Sequence, residues 1–187
     1  MGTANSFVLR GRALGRARVT ALGILGFAVA LAAASQVAIP LPGTPVPMTL
    51  QPLVVALAGL WLGPLAGASS MLLYLAAGAA GLPVFAPMGA PGFARMLGPT
   101  GGYLWAYPLA ALVAGLIVAQ RRAFAFRALG AAAAIAAIHV GGFLQLLVLT
   151  DSAASAIALG ATPFLLLDLV KVLAAAALSP KTPRAIA

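Results

Sequence analysis

Two charged residues stand three positions apart inside an otherwise apolar stretch near the end of the chain. They are Asp168 and Lys171, within residues 163–178. Residues three apart share one face of a helix, and each charge costs a few kcal/mol inside a membrane. Counted from Pro163 at about 1.5 Å per residue, they lie roughly 8 and 12 Å along the helix. The pair is either a structural ion pair that locks neighbouring helices or the polar floor of a cavity open to the outside.

A third charge, Arg95, stands in a long connection rich in glycine and proline, residues 81–102. Loops of this length are often functional, and arginine can hold a carboxylate through two hydrogen bonds. The alternative is an arginine exposed at the lipid headgroups. If Arg95 faces the other two charges, the three suit a small amphipathic solute with an anionic end, N–H donors and an acceptor. Side chains that could enclose the apolar middle of such a ligand are Met48, Phe85, Phe93 and Tyr103.

Residue types for catalysis and metal binding are scarce. The chain has no cysteine, one histidine (His139) and two acids, Asp151 and Asp168. A metal centre usually needs three or four such ligands, so we expect no metal and no other cofactor. A rhomboid-like intramembrane protease would need a serine in a G-x-S-G setting, and Gly67-Ala68-Ser69-Ser70 lacks the last glycine. The sequence also contains no Walker-type loop, and it therefore predicts neither an enzyme nor an ATPase.

The single histidine lies in an apolar stretch beside Gly141-Gly142, with Gln145 on nearly the same helical face. An imidazole inside a helix bundle needs a hydrogen-bond partner because burying an unpaired polar group is unfavourable. We therefore expect His139 to be buried and hydrogen-bonded to a neighbouring helix.

The composition requires a lipid environment. Of 187 residues, 63% are hydrophobic and only 7% are charged, and the mean hydropathy is +1.11. A soluble protein carries about 25% charged residues, so a soluble chain of this kind could not cover its surface. The net charge of +9 comes from short basic clusters beside apolar runs. That pattern is typical of membrane orientation and not of a nucleic-acid groove, so we expect the lipid bilayer and no nucleic acid as a partner.

Six apolar stretches can form membrane-crossing helices, for which about 20 residues are needed. The second is short for a full span and can begin near Met48. Residues 10–38 also resemble a signal peptide ending at Ala32-Ala33-Ala34-Ser35, but the length of the first run and the spans behind it favour a retained helix. The sequence predicts an all-α membrane domain over residues 19–178, between a basic N-terminus (1–18) and a tail (179–187). The six stretches are residues 19–38, 50–62, 65–80, 103–119, 129–149 and 163–178.

The basic residues predict the orientation of these helices. Six spans place both termini on one side, and if that side is cytoplasmic, nine of the 11 basic residues are inside. This is the asymmetry that the positive-inside rule describes, and it leaves only Arg95 and Lys171 unexplained. The nine residues are Arg10, Arg12, Arg16, Arg18, Arg121, Arg122, Arg127, Lys181 and Arg184.

Alanines repeat at a spacing of four in the first helix, as Ala28 with Ala32 and as Ala30 with Ala34. Small residues at this spacing let helix backbones approach closely in lipid. Such a face can serve packing inside the bundle, or it can be presented to a partner membrane protein.

Four motifs, in order along residues 20–178, resemble the BioY family, the biotin-binding substrate subunits (S components) of energy-coupling factor transporters. The first is similar to the first outer loop of the family, and the last is similar to its final helix. The motifs are Pro45-Val46-Pro47-Met48-Thr49-Leu50-Gln51, Gly81-Leu82-Pro83-Val84-Phe85-Ala86, Gly98-Pro99-Thr100-Gly101-Gly102-Tyr103-Leu104, and Phe164 through Asp168 to Lys171.

The resemblance implies an S-component fold of six helices in a bacterial or archaeal cytoplasmic membrane, with the vitamin bound near the outer surface under loops one and three. It implies that a transmembrane coupling subunit and two ATPase subunits supply the energy. In related S components an A-x-x-x-A face on the first helix contacts the coupling subunit, and either alanine pair fits that pattern. The alternatives are an S component for another vitamin, a stand-alone carrier of small solutes and a membrane scaffold with purely structural charges.

Biotin also suits the residues that the resemblance places at the site. Its ureido N–H groups suit Asp168, its ureido oxygen suits Lys171, and its carboxylate suits Arg95, although the reverse orientation stays open. Pro87 stands in a loop where a polar side chain could have helped to bind the ureido group. The full set of expected binding residues is Arg95, Asp168, Lys171, Phe85, Gly98, Tyr103, Met48 and Gln51.

Overall fold

Apolar stretches rich in alanine and leucine form helices in this chain, because in lipid each segment must satisfy its own backbone polar groups. The computed structural model describes residues 3–121 and 123–181, and that part of the chain is mostly helical, as predicted. Two short strands, β1 (Ala38–Ile39) and β2 (Met48–Thr49), pair antiparallel after the first helix. The described helices are α1 (Thr3–Gln36), α2 (Gln51–Leu62), α3 (Pro64–Ala79), α4 (Gly101–Gln120), α5 (Phe124–Thr150), α6 (Ala153–Gly160) and α7 (Leu165–Leu178).

The predicted start of the last helix at Pro163 is wrong. The stretch that follows α5 contains the short helix α6, whose N-terminus is capped by the hydroxyl of Ser152 accepting from the backbone N–H of Ser155. A single 3₁₀ turn, Thr162–Phe164, contains Pro163 and precedes α7. Pro163 therefore does lie in a first helical turn, but that turn is a separate 3₁₀ turn and not the start of α7.

Helix α5 begins earlier than predicted, at Phe124 instead of residue 129. Arg127 therefore lies inside the helix and is buried, whereas the sequence analysis put it in an inner loop. Its Nη1 donates to the carbonyl oxygen of Ser179 at 2.6 Å, and its Cζ lies 5.6 Å from the ring of Phe124. Since Ser179 follows the last turn of α7, the guanidinium neutralises the negative end of that helix. Two other predicted inner basic residues, Arg122 and Arg184, lie outside the described residues.

Helices α2 and α3 fold back on each other as a hairpin. Gly63 stands at the bend with φ of 84°, in the left-handed region that favours glycine, and Pro64 opens α3. Gly59 and Gly67, four residues to either side, lie so close that a Cβ on Gly67 would be 2.9 Å from the Gly59 Cα. The glycine spacing seen in the sequence therefore serves close packing inside the bundle.

Glycines also let α4 and α5 approach closely. A Cβ added to either Gly102 or Gly141 would overlap the other residue's carbonyl oxygen. A Cβ on Gly142 would overlap the ring of Tyr103. The contact lies at the start of α4 and the middle of α5, and it positions the side chains of both helices around a shared space described below.

The connections between helices gather at two ends of the bundle. At one end, Thr44 Oγ1 donates to the Leu159 carbonyl at 2.6 Å, and Gln145 Nε2 donates to the Leu97 carbonyl at 3.0 Å. Three connections meet here: residues 37–50, residues 80–100 and residues 151–164. At the other end Arg127 meets Ser179. One end of the bundle is thus built from long connections between helices, and the other end is built from short ones.

Four segments of the described chain are long and apolar enough to cross a membrane: Gly15–Gln36, Gly101–Gln120, Phe124–Thr150 and Ala153–Leu178. The hairpin helices α2 and α3 are apolar but shorter, with 12 and 16 residues. At about 1.5 Å per residue, α2 reaches roughly 18 Å, less than the hydrocarbon core of about 30 Å.

Candidate ligand-binding site

A cavity opens at the end of the bundle where the long connections meet. Its empty space, including the mouth open to solvent, is about 620 Å³. The wall comes from the connection with β2, from the Phe85–Arg95 connection and from helices α4, α5 and α7. Residues far apart in the sequence therefore meet around one space.

The polar part of the wall is a cluster of three charged or titratable side chains. Lys171 Nζ donates to Asp168 Oδ1 at 2.8 Å, and His139 Nε2 lies 2.5 Å from Asp168 Oδ2. Asp168 and Lys171 are buried, and His139 is partly buried. The two carboxylate oxygens of Asp168 thus have different partners, one from its own helix and one from α5.

His139 is held from its other side as well. Its Nδ1 lies 3.1 Å from the carbonyl oxygen of Gly160, which also accepts from the Tyr103 hydroxyl at 2.7 Å. Gly160 needs to be small here, because a Cβ would come within 2.5 Å of the Tyr103 hydroxyl oxygen. The rings of Tyr103 and Phe164 flank the imidazole at centroid distances of 6.2 and 6.1 Å. These contacts fix the orientation of the ring towards Asp168.

Arg95 reaches the cavity from the 3₁₀ helix Gly92–Leu97 and is buried, with 6% of its surface exposed. Its Nη2 donates to the Ala86 carbonyl at 3.0 Å. Among the residues that the structure describes, it has no acidic ion-pair partner. Burial lowers the pKa of the guanidinium from its ordinary value, and the neighbouring Tyr74 and Tyr107 oppose that shift. Arginine stays charged despite such a shift, so the cavity contains a buried cation that can accept an anion.

The backbone beside the cavity is tied to the end of α1. Ser35 Oγ donates to the Val84 carbonyl at 2.6 Å, and Gln36 Nε2 donates to the Phe85 carbonyl at 3.1 Å. Phe85 itself is buried against Tyr74, with ring centroids 5.4 Å apart. The wall segment that contains Phe85 and Ala86 therefore depends on α1 for its position.

Gln51 stands at the start of α2, on the same cavity wall as Arg95. Its side-chain amide donates to the Tyr74 hydroxyl at 2.9 Å, and its amide oxygen accepts from the Thr49 hydroxyl at 3.3 Å. Each end of the side-chain amide thus already has one partner within the protein.

Six of the residues predicted from the sequence line this cavity, and two do not. Those lining it are Arg95, Asp168, Lys171, Phe85, Tyr103 and Gln51. Met48 lies in β2 and packs partly against the core, beside lining residues but outside the wall. Gly98 borders a neighbouring cavity with about 650 Å³ of empty space, its open mouth included, and this cavity shares Pro47, Arg95 and Thr100 with the first. Phe93, also considered, is half-exposed and packs on Trp105.

His139 was not among the binding residues predicted from the sequence. It was expected to bond to a neighbouring helix, and it does so, but it also lines the cavity and contacts Asp168. The available signal was its position inside an apolar helix, since ionisable groups within spans usually face a bundle interior or a cavity.

The two alanine pairs of α1 face different surroundings. Ala28 is buried in the core, and Ala32 packs partly against it. Ala30 is exposed and Ala34 is half-buried. Of the two faces, the one with Ala30 and Ala34 is therefore the more open to a partner.

Comparison with known proteins gives consistent matches. The family model described as the BioY family matches residues 12–187. The biotin transporter BioY of Thermotoga maritima is 38% identical over 139 residues, which is 74% of this chain and 81% of that protein. A probable biotin transporter BioY of Pyrococcus horikoshii is 56% identical over 72 residues, which is 38% of this chain and 44% of that protein.

A solved structure is similar in fold. It is described as the S-component for biotin from an ECF-type ABC transporter, and its TM-score is 0.80 at 22% sequence identity. The likeness covers 87% of this chain and 89% of that one. The shared architecture therefore extends over most of both chains.

Proposed function

The chain belongs to the BioY family, and on that premise we propose that it is the substrate-capture subunit of a biotin uptake system. In this proposal it binds biotin at the membrane surface, and separate coupling and ATPase subunits supply the energy. It is a multi-pass membrane protein whose relatives are described as transporters, and we propose that it catalyses no chemical reaction.

The observation that carries the proposal is that an ion pair and a separate cation line one apolar cavity. An Asp168–Lys171 pair and the cation Arg95 line the same space. Biotin has a ureido ring with two N–H donors and one acceptor oxygen, an apolar thioether ring and a carboxylate tail. A site for it needs an acceptor and a donor for the ureido group and a cation for the tail, and all three are present.

We assign the ureido group to the cluster on α7 and the carboxylate to Arg95. Asp168 can accept from the ureido N–H groups with the lone pairs that His139 and Lys171 do not use, since a carboxylate has about four acceptor positions. Lys171 has donors left for the ureido oxygen. Arg95 has no acid partner within the described part of the chain, so an incoming carboxylate would be its first.

The apolar middle of biotin would lie against the aromatic wall. Phe85, Tyr103 and Phe164 are buried and border the cavity. Tyr103 is fixed through its bond to Gly160, so its ring offers a rigid face. A site with such fixed walls loses little entropy on binding, which favours high affinity.

We further propose six membrane crossings with both termini cytoplasmic, in the cytoplasmic membrane of a bacterium or archaeon. The antiparallel hairpin of α2 and α3 supports two short crossings, and α6 and α7 together form the last. The cavity end then faces outward, and the Arg127–Ser179 contact lies inside. The proposed membrane domain spans residues 19–178, with residues 1–18 and 179–187 on the cytoplasmic side.

A transmembrane coupling subunit and two ATPase subunits are the proposed partners. The exposed face with Ala30 and Ala34 supports a contact at α1, because small residues there let a partner helix approach closely. The buried pair, Ala28 and Ala32, is better explained by packing against the protein's own core.

Calorimetric titration of the purified protein with biotin tests the proposal. We expect tight binding, and D168N should weaken it by about ten- to a hundredfold, the range for losing a hydrogen bond to a charged group. D151N is the matched control, because Asp151 is the other acid of the sequence, is exposed and lies in a left-handed conformation that asparagine tolerates. Equal biotin affinities of D168N and D151N would remove Asp168 from the site.

The second candidate function is capture of another vitamin or uptake of another small solute without partners. The generic part of the site, an apolar cavity with a buried arginine, fits any small carboxylate. Competition against biotin separates the two. A vitamin without a ureido ring that displaces biotin at equal concentration would favour the alternative, whereas desthiobiotin, which keeps the ureido ring, should compete in either case.

A further inference from the structure

Both ring nitrogens of His139 face hydrogen-bond acceptors. Nδ1 lies 3.1 Å from the Gly160 carbonyl oxygen, and Nε2 lies 2.5 Å from Asp168 Oδ2. Neither a carbonyl oxygen nor an ionised carboxylate has a proton to donate, so a hydrogen bond to Gly160 needs a hydrogen on Nδ1 and one to Asp168 needs a hydrogen on Nε2. A neutral imidazole has only one N–H, and its other nitrogen presents a lone pair.

A neutral ring beside an ionised Asp168 would therefore set two lone pairs against each other in one of the two contacts, at Nδ1 or at Nε2 depending on the tautomer. Both contacts become favourable together when one more proton is present, held either by the ring or by the carboxyl. In both cases the histidine and aspartate together are neutral. Since Lys171 is bonded to the other carboxylate oxygen, the three-residue cluster then has a net charge of +1.

The neighbours of His139 favour this arrangement. Helix α4 contributes the Tyr103 ring, α6 the Gly160 carbonyl, the 3₁₀ turn the Phe164 ring, and α7 the carboxylate with its lysine. The other charged group on the cavity wall is Arg95, and the remaining phenol is Tyr107. Asp168 is thus the acid of this wall, and it is shared by two donors.

We propose that His139 is a positioning residue that holds a proton against Asp168 and aligns that carboxylate for the hydrogen-bond-donating ring of the ligand. The inference rests on the proposed function for the identity of the ligand. The proton itself can be tested without any ligand.

The physical consequence follows from the loss of that contact. Without a donor at position 139, Asp168 Oδ2 loses its partner from α5. The carboxylate then turns away from the orientation that His139 and Lys171 impose, and it presents its free lone pairs poorly to ligand N–H groups. Affinity should therefore fall when His139 is replaced by a residue that cannot donate a hydrogen bond.

The first test uses the fact that the sequence contains a single histidine. Protein with ¹⁵N-labelled histidine gives one pair of ring-nitrogen NMR signals, with no assignment problem. We expect both nitrogens to be protonated or strongly hydrogen-bonded at neutral pH, and D168N to restore an ordinary unprotonated Nε2. An unprotonated Nε2 in the wild-type protein, unchanged in D168N, would overturn the proposal whatever the ligand is.

The second test measures biotin affinity in wild type, H139Q, H139F and the control V140A. Glutamine can donate one hydrogen bond to Asp168, phenylalanine can donate none, and Val140 is the adjacent, exposed residue on the outer side of α5. We expect V140A to bind as tightly as wild type. H139Q should be close to wild type, and H139F should be weaker by about ten- to a hundredfold.

The outcomes separate the two claims. An H139F affinity equal to that of V140A, or an H139Q affinity as weak as that of H139F, would overturn the role of His139 while leaving biotin capture intact. Absence of biotin binding in the wild-type protein, together with the expected NMR signals, would overturn the proposed ligand and leave the shared proton standing.

Discussion

Buried cations and the histidine of this bundle are held by backbone carbonyls as much as by acids. Arg95 donates to Ala86, Arg127 donates to Ser179, and His139 faces Gly160. The sequence has only two acids for 11 basic residues, so ion pairs cannot satisfy the buried charges. Carbonyls at helix ends and in loops are the acceptors that remain. The placement of each charge is therefore fixed by backbone geometry, which makes small residues near it important.

Gly89 is the residue that makes room for Arg95. Its φ of 101° lies in the region that favours glycine, and an added Cβ would overlap Arg95 Nη1. We expect G89A to displace the guanidinium and to lower biotin affinity by about tenfold or more in calorimetry.

Gly81 provides the matched control for that substitution. It lies in the same connection with φ of 94°, but a Cβ there would have no atom within 4 Å. G81A should bear similar backbone strain, about 1–3 kcal/mol, without touching Arg95. If G81A weakened biotin binding as much as G89A, loop strain and not the position of Arg95 would explain the loss.

Residue spacing predicted the local part of the site and missed the long-range part. Asp168 and Lys171 could be paired from the sequence because residues three apart share a helix face. The contact between His139 and Asp168 joins residues 29 positions apart, and it depends on how α5 and α7 are rotated against each other. The position of α5 depends in turn on its close contact with α4 through Gly102 and Gly141, which no spacing within one helix reveals.

At the scale of elements, α7 is bound to α5 at two points. His139 meets Asp168 near the start of α7, and Arg127 meets Ser179 just after its end. Helix α7 otherwise presents a broad apolar surface, with Leu165, Leu166 and Val170 exposed. Polar contacts at both ends therefore fix the position of a helix whose outer face has no partner within the described protein.

Substituting Arg127 tests the inner of these two points. R127Q removes a charge-assisted hydrogen bond and leaves the Ser179 carbonyl without its donor. We expect the melting temperature in detergent to fall by about 3–10 °C, from a loss of about 1.5–3 kcal/mol. R121Q is the control, since Arg121 is exposed at the end of α4 and packs only on the ring of Phe126. Equal melting temperatures of R127Q and R121Q would show that the contact does not stabilise α7.

The apolar runs of the sequence predicted where helices form, whereas the starts of two helices depend on contacts between distant parts of the chain. The run after α5 reads as loop followed by helix, because Pro163 is a strong start signal. The structure instead forms α6 and a 3₁₀ turn. The carbonyl oxygen of Gly160, at the end of α6, accepts a hydrogen bond from the Tyr103 hydroxyl. Similarly, the charge of Arg127 predicts a loop residue. Its burial becomes favourable because the guanidinium donates a hydrogen bond to the Ser179 carbonyl.

Across the whole molecule, the cavity wall and the open face of α1 are connected through one helix. Ser35 and Gln36 at the end of α1 hold the Val84 and Phe85 carbonyls beside the cavity. Ala34 directly precedes Ser35 on the same helix, and Ala30 lies about one turn earlier. A partner that shifts α1 would therefore act directly on the segment that encloses the ligand.

The open face of α1 can be separated from the ligand site by substitution. A30L enlarges an exposed residue, so the purified protein should bind biotin as tightly as wild type. The same change should abolish biotin uptake by cells that carry the coupling and ATPase subunits, because the larger side chain keeps the partner helix at a distance. Uptake of labelled biotin and co-purification of the coupling subunit measure the effect.

Two further variants of α1 decide the outcome. A21L changes another exposed alanine, on the opposite side of the helix from Ala30 at about 100° per residue, and should leave uptake unchanged. A28L forces a larger side chain into the buried face and should lower the melting temperature, since overpacking a core costs about 1–3 kcal/mol. Normal uptake by A30L, or equal loss in A21L, would place the partner contact elsewhere. Loss of uptake in A30L alone, with biotin binding intact, would show that this face couples the capture subunit to its energy source.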